Sequence, residues 1–197
     1  MIKMIELPYT LDALEPYYSK ETLDLHYNIL YKNYVDKTNN VLLELELARL
    51  NNDFKNIKCL EKELSFQASG VILHELFFYN MWPKMDCKPD ILLLQQIVKD
   101  FGSFEKFKNQ FTEAAISVEA SGWCLLVWLP EFNKLEILQC EKHQNLTLWN
   151  SKVLLVLDMW EHSYYLQYKT KRPEYIENFW HIINWNEVDR RFKKIFV

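Results

Sequence analysis

The chain has 197 residues, a formal net charge of −4, and 49% hydrophobic and 15% aromatic residues. That is enough for a sizeable core in one domain or two closely packed small ones, and the acidic balance argues against a nucleic-acid partner. Three glycines exclude Gly-rich phosphate loops, and no stretch reaches the ~20 apolar residues that span a bilayer. The first residues lack the apolar run of a signal peptide. Cys59, Cys87, Cys124 and Cys140 show no Cys-x-x-Cys spacing and read as reduced thiols. The expectation is a soluble cytoplasmic protein with no membrane partner.

Residues 1 to about 85 read as a helical domain. From Ser19 onward Leu23, His26, Leu30, Tyr34 and the apolar positions of 41–50 recur at helical spacing. Asn51-Asn52-Asp53 breaks the pattern, and a second helix is expected from about Phe54 to Tyr79. Two long helices joined by a short polar turn predict an antiparallel hairpin. The stretch from Pro83 to Pro89 is the best boundary. Beyond it, Asp90 caps a helix to about Asp100, Gly102 ends it, and Ser103 caps another to about Val118. Trp123–Leu129, Lys134–Gln139 and Ser151–Leu157 read as three antiparallel strands, the first two joined by the turn Pro130-Glu131-Phe132-Asn133. Pro173 opens a further helix, and the last residues form an amphipathic one. The predicted fold is α+β: an N-terminal helical hairpin over 1–85 and a C-terminal α/β domain over 86–197 with a three-stranded antiparallel sheet.

Four residues suggest a site. Asp158 and His162 stand four apart just after the apolar run ending at Leu157, where an unpaired carboxylate would be costly. His26 lies mid-helix, and His74 lies among apolar groups of the second helix. One His comes from each arm of the hairpin, and an Asp and a His come from a strand end and the loop expected to follow it. Three neutral imidazoles and one carboxylate suit a redox-active first-row metal such as iron or manganese, with room for a solvent ligand. A structural zinc site would more usually recruit the cysteines.

Several stretches together resemble the iron/manganese superoxide dismutases. They are Leu7-Pro8-Tyr9-Thr10-Leu11 through Pro16, Ser19-Lys20-Glu21-Thr22-Leu23 leading to His26, Asp100-Phe101-Gly102-Ser103-Phe104, Ser121-Gly122-Trp123, Asp158-Met159-Trp160-Glu161-His162 with Tyr164-Tyr165, Arg172-Pro173-Glu174-Tyr175, and Asn184-Trp185. The resemblance implies that His26, His74, Asp158 and His162 bind one Fe or Mn ion per chain. It also implies an enzyme that converts superoxide to dioxygen and hydrogen peroxide. Tyr34 would be the gateway phenol and proton relay, Phe78, Trp123 and Trp160 an apolar wall, and Arg172 a positive charge at the substrate funnel. A homodimer, with a tetramer possible, would place Glu161 on the partner's His162 and put Tyr165 at the interface.

The chain departs from the family's pattern around the site. The glutamine that usually bonds the metal-bound solvent is missing four residues before His74, where Gly70 stands. Its other usual position falls on His143, with Gln144 one residue away. His143 is the preferred reading and leans the metal choice to iron or to use of either metal. Leu30 replaces a usual histidine and cannot carry a proton. The alternatives are a relative that binds metal without dismutating superoxide, and one that keeps the fold for a structural or assembly role.

Overall fold

The computed structural model of the protein describes residues 1–83 and 88–196. The expected boundary at 85/86 and Cys87 fall outside the described residues.

Residues 1–18 contain no helix, contrary to the expectation for this stretch. Pro8 and Pro16 disfavour the helical conformation of the residue before each. Side-chain bonds tie this stretch down instead: Tyr9 Oη donates to the Phe78 carbonyl (2.7 Å), and the Ile5 amide donates to Tyr31 Oη (3.1 Å). Helix α1 (Lys20–Asp24) begins where Ser19 Oγ accepts the Thr22 amide. It runs into a π-helical stretch, Leu25–Tyr31, and then α2 (Lys32–Leu50). The wider π turn aligns residues five apart. His26 and Tyr31 therefore share the fully buried face, while Leu30 lies only partly buried and Ile29 is exposed. Leu43, Leu47 and Leu50, counted in the apolar pattern of α2, are also exposed.

Helix α3 (Ile57–Tyr79) starts three residues later than expected, because Asp53 Oδ1 accepts the Lys55 amide and holds that segment in the turn. It packs antiparallel on α2. Helix α4 (Ile91–Phe101) is capped by Asp90 and stopped by Gly102 at φ 87°, a conformation that costs glycine little. Helix α5 (Phe104–Ile116) is capped by Ser103.

Strand β1 (Gly122–Leu129) lies between β2 (Lys134–Glu141) and β3 (Lys152–Asp158), all antiparallel. Every residue of β1 is buried, which explains its unbroken apolar run. Leu154 bulges out of the β1–β3 pairing, and its carbonyl accepts Asn80 Nδ2 (3.3 Å) and Arg191 Nη1 (3.0 Å). Asn80 also accepts the Val156 amide (3.1 Å), so the end of α3 is pinned to β3. That clasp sets His74 against Asp158.

Helices α6 (Glu161–Tyr168), α7 (Arg172–Phe179) and α8 (Trp185–Lys194) complete the chain. Helix α6 corrects the loop expected after Asp158. Its central residues, His162 to Tyr165, are weak helix formers and no side chain caps it. Tertiary contacts hold it: Ser163 Oγ donates to the Asp158 carbonyl (2.9 Å), and Tyr164 and Tyr168 are buried.

Candidate metal centre

The π-helical stretch presents His26, α3 presents His74, the end of β3 presents Asp158, and the first turn of α6 presents His162. The candidate ligand atoms of these four side chains lie within 4.8 Å of one another. Asp158 Oδ2 is 3.3 Å from His26 Nε2, 3.9 Å from His74 Nε2 and 3.3 Å from His162 Nε2. The first three residues are fully buried, and the His162 side chain keeps 21% of its surface.

The Nε2 atoms of His26, His74 and His162 and Oδ2 of Asp158 are all buried, and among the described residues none has a hydrogen-bond partner. Four converging orphan atoms are costly to bury, and a cation shared among them removes that cost. The opposite sides of the ligands are held in place. His74 Nδ1 donates to the Gly70 carbonyl (2.6 Å), which leaves its Nε2 lone pair facing inward. His26 Nδ1 pairs with Tyr18 Oη (2.8 Å). Asp158 Oδ1 accepts the Trp160 amide (2.8 Å), and Tyr175 Oη donates to the Asp158 carbonyl (3.0 Å).

Burial pushes the His26 and His74 imidazoles below their usual pKa, His74 strongly, so both are neutral. Burial alone would raise the Asp158 carboxyl, but the neighbouring His162 and His26 outweigh it and hold the group below the usual carboxylate range. The donor set is thus one carboxylate with at least two neutral imidazoles, in the protonation state that binds a divalent or trivalent cation.

Beside this set stands a second cluster. His143 is 3% exposed, not the surface residue that its polar neighbours Glu141 to Asn145 would suggest. Lys142, at φ 54°, turns the chain so that the next side chain points inward. His143 Nε2 lies 2.9 Å from Tyr34 Oη, and Trp123 Nε1 donates to His143 Nδ1 (3.1 Å). The imidazole stacks on Trp160, with ring centroids 4.6 Å apart and planes at 9°, and Phe66 covers it at 4.8 Å. Burial lowers the His143 pKa to about 4 and, aided by the Asp158 charge, raises that of Tyr34 to about 12. Both are neutral near pH 7. Gln144 uses its Oε1 to accept the His143 amide.

The Tyr34 ring packs so closely on Gly70 that a Cβ there would lie 2.8 Å from Tyr34 Cδ1. Phe78 is fully buried with its ring 5.3 Å from His26, Trp123 lies 5.1 Å from His74, and Trp160 lies 5.4 Å from His162. Arg172 donates to the Val118 carbonyl (3.0 Å) and lies over the Tyr164 ring; among the described residues no hydrogen bond or ion pair joins it to a ligand. Glu161 and Tyr165 are exposed on α6. Tyr18, Tyr31 and Phe66 were not singled out by sequence. Phe66, Gly70, His74 and Phe78 recur every fourth residue of α3, a pattern that points to Phe66; nothing comparable marks Tyr18.

The chain matches the family model of the iron/manganese superoxide dismutases, alpha-hairpin domain, over residues 2–82, and that of the C-terminal domain over residues 89–191. It belongs to the iron/manganese superoxide dismutase family. It is 47% identical over 193 residues to a superoxide dismutase (Fe) of Methanothermobacter marburgensis, covering 97% of this chain and 96% of that protein. It is 45% identical to a superoxide dismutase (Fe) of Pyrobaculum aerophilum over 190 residues, covering 95% and 90%. It is 44% identical to a superoxide dismutase (Mn/Fe) of Propionibacterium freudenreichii subsp. shermanii over 191 residues, covering 96% and 95%. Membership in this dismutase family accounts for the conjunction of a helical hairpin, a three-stranded sheet and a three-imidazole, one-carboxylate cluster.

Proposed function

We propose that this chain is a superoxide dismutase that works with one iron or manganese ion. The observation that carries the reading is the set of four buried, converging and unpartnered donors of His26, His74, Asp158 and His162 within this family's fold. When bound, the ion alternates between its divalent and trivalent states and supplies the electron exchange that turns two superoxide anions and two protons into dioxygen and hydrogen peroxide. The relatives carry both iron and manganese/iron names, and His143 leans the choice toward iron or toward either metal.

The chain's own residues hold, enclose and protonate. Asp158 contributes the one anionic donor, and Trp160 N–H keeps its other oxygen turned away. Phe78, Trp123 and Trp160 exclude bulk water and raise the strength of every charge interaction inside. Tyr34, neutral through the working range, holds a proton at its hydroxyl beside the cavity, and His143 fixes that hydroxyl from the far side. Arg172 adds positive charge for an anionic substrate. Glu161 and Tyr165, both exposed, are assigned to a homodimer contact, with a tetramer as the larger possibility. No helix among the described residues is long and apolar enough to cross a membrane, and a cytoplasmic setting belongs to the proposal.

The intact donor set gives no support to a degenerate relative or a purely structural role. The deciding experiment is superoxide decay catalysed by the purified chain reconstituted separately with iron and with manganese. Rapid decay with one or both supports the reading; no decay with either, at one bound ion per chain, overturns it.

A further inference from the structure

We infer that Tyr18 is a positioning residue for the proposed metal centre: its hydroxyl oxygen accepts the Nδ1–H of His26, which fixes that imidazole in the tautomer whose Nε2 lone pair faces the other three donors and makes it a more electron-rich ligand. The inference rests on the proposed function for its catalytic meaning and on the donor geometry for the rest.

A neutral imidazole has one proton, and the nitrogen that binds a cation has to be the bare one. His26 Nε2 is buried, unpartnered and 3.3 Å from Asp158 Oδ2, so it is the ligating nitrogen and the proton belongs on Nδ1. Tyr18 Oη lies 2.8 Å from that Nδ1. A phenol can donate or accept. Were it to donate here, the imidazole proton would sit on Nε2 and point into the donor cluster, so Tyr18 accepts. No other hydrogen bond engages His26 Nδ1 among the described residues. His74 meets the same need differently, for its Nδ1 donates to the carbonyl four residues back, that of Gly70. The carbonyl four residues before His26 belongs to Thr22 and takes the Leu25 amide where the π-helical stretch begins. A side chain from outside the helix fills the place.

The phenol is held to that task. Tyr18 is 1% exposed, its ring packs edge-on to Phe77 with centroids 6.1 Å apart, and it lies 6.4 Å from the ring of Tyr175. On either side of it the Tyr17 carbonyl accepts Tyr168 Oη, and the Ser19 amide donates to Gln167 Oε1 (2.8 Å). Helix α6, which carries His162, thus brackets the residue that orients His26. An acceptor on the outer nitrogen raises the basicity of a ligating imidazole. A more basic imidazole favours the trivalent over the divalent ion, so the Tyr18 hydroxyl lowers the potential of the centre. Without the hydroxyl that effect is lost and a buried N–H has no partner.

The test compares the iron-loaded wild type with Tyr18→Phe, which keeps the ring and its packing. Iron release to a chelator, the ferric/ferrous midpoint potential and superoxide decay are measured on both. The variant is expected to hold iron roughly 10-fold less tightly and to have a higher midpoint potential. The potential decides: a rise supports the inference, and an unchanged or lower value overturns it even with weaker retention, because loosened packing alone would release iron. If the variant does not fold or load, neutron diffraction from deuterium-exchanged crystals of the iron-loaded wild type decides instead. A deuteron on His26 Nδ1 directed at Tyr18 Oη supports the inference, and a bare Nδ1 overturns it. Absence of superoxide decay in a wild type that retains iron and shows this deuteron would strike the proposed function and leave the role of Tyr18 standing.

Discussion

Alanine at position 70 should cost the protein both stability and activity, although alanine is the better helix former. An ideal Cβ on Gly70 lies 2.8 Å from Tyr34 Cδ1 and 3.1 Å from Cγ and Cε1. Carbon atoms rest at about 3.5–4.0 Å. Because Cγ is the root of the ring, rotation of the phenol does not relieve the overlap, and the whole side chain has to retreat by roughly 0.7 Å. Its hydroxyl is 2.9 Å from His143 Nε2, and such a retreat takes that bond beyond useful range. Helix propensity favours alanine by about 1 kcal/mol. Overpacking opposes it by about 1–3 kcal/mol, and the lost hydrogen bond by about 1 kcal/mol more. The net loss is about 1–3 kcal/mol, read from urea unfolding of the metal-loaded protein, with slower superoxide decay. In a Tyr34→Ala background the same change should instead stabilise by about 1 kcal/mol, since the clash is gone. Gly70→Ala that is more stable than wild type with undiminished decay would refute the reasoning, because Tyr34 would then be free to move.

Other perturbations follow from the same contacts. The His143 pKa is lowered to about 4, and His26 and His74 are also lowered, so the folded metal-free chain binds fewer protons than the unfolded chain below about pH 6.5. Stability is therefore complete above that pH and falls as acid is added, His143 alone contributing up to about 3 kcal/mol by pH 4, with Asp158 acting in the same direction at lower pH. Equal urea midpoints for the metal-free protein at about pH 7.5 and about pH 5 would contradict this. Asp158→Asn keeps an oxygen for the Trp160 amide but removes the anionic donor; metal content under chelator competition should drop at least ~10-fold with the fold intact. Arg191→Ala breaks the bonds to the Leu154 carbonyl and Asn80 and leaves Glu187 paired with Arg190 alone, so a loss of about 1–3 kcal/mol is expected from thermal or urea unfolding. Glu161→Ala should weaken both the dimer and metal retention; an unchanged dimer mass with full metal content would remove the interface assignment.

The elements that could be read from the chain are those whose signal is local. Trp123–Leu129 is apolar throughout and is followed by a turn at 130–133, so a buried strand and a hairpin follow from composition alone. Asp90, Gly102 and Ser103 announce helix ends because each supplies or frees a backbone hydrogen bond where it stands. Helix α6 gave no such signal, since it has no side-chain cap and the weak formers His162 to Tyr165 are held by Ser163 on the Asp158 carbonyl and by buried tyrosines. The π turn was equally hidden. It moves Tyr31 into the face on which the four-residue spacing had put Leu30, and no periodicity of side chains distinguishes it beforehand.

Sequence by itself determined the hairpin-then-sheet order, the four donors by their context, and the family by motifs spread over nearly the whole chain. It did so because burial pattern, capping and ligand chemistry are properties of residue type and spacing. Only the tertiary structure decided that His143 is buried between Trp160 and Phe66, that both of its nitrogens are engaged, and that Gly70 is where Tyr34 rests. Those facts depend on which side chains from distant strands and helices meet. A polar stretch such as Glu141 to Asn145 looks the same in sequence whether its histidine faces water or a metal cavity.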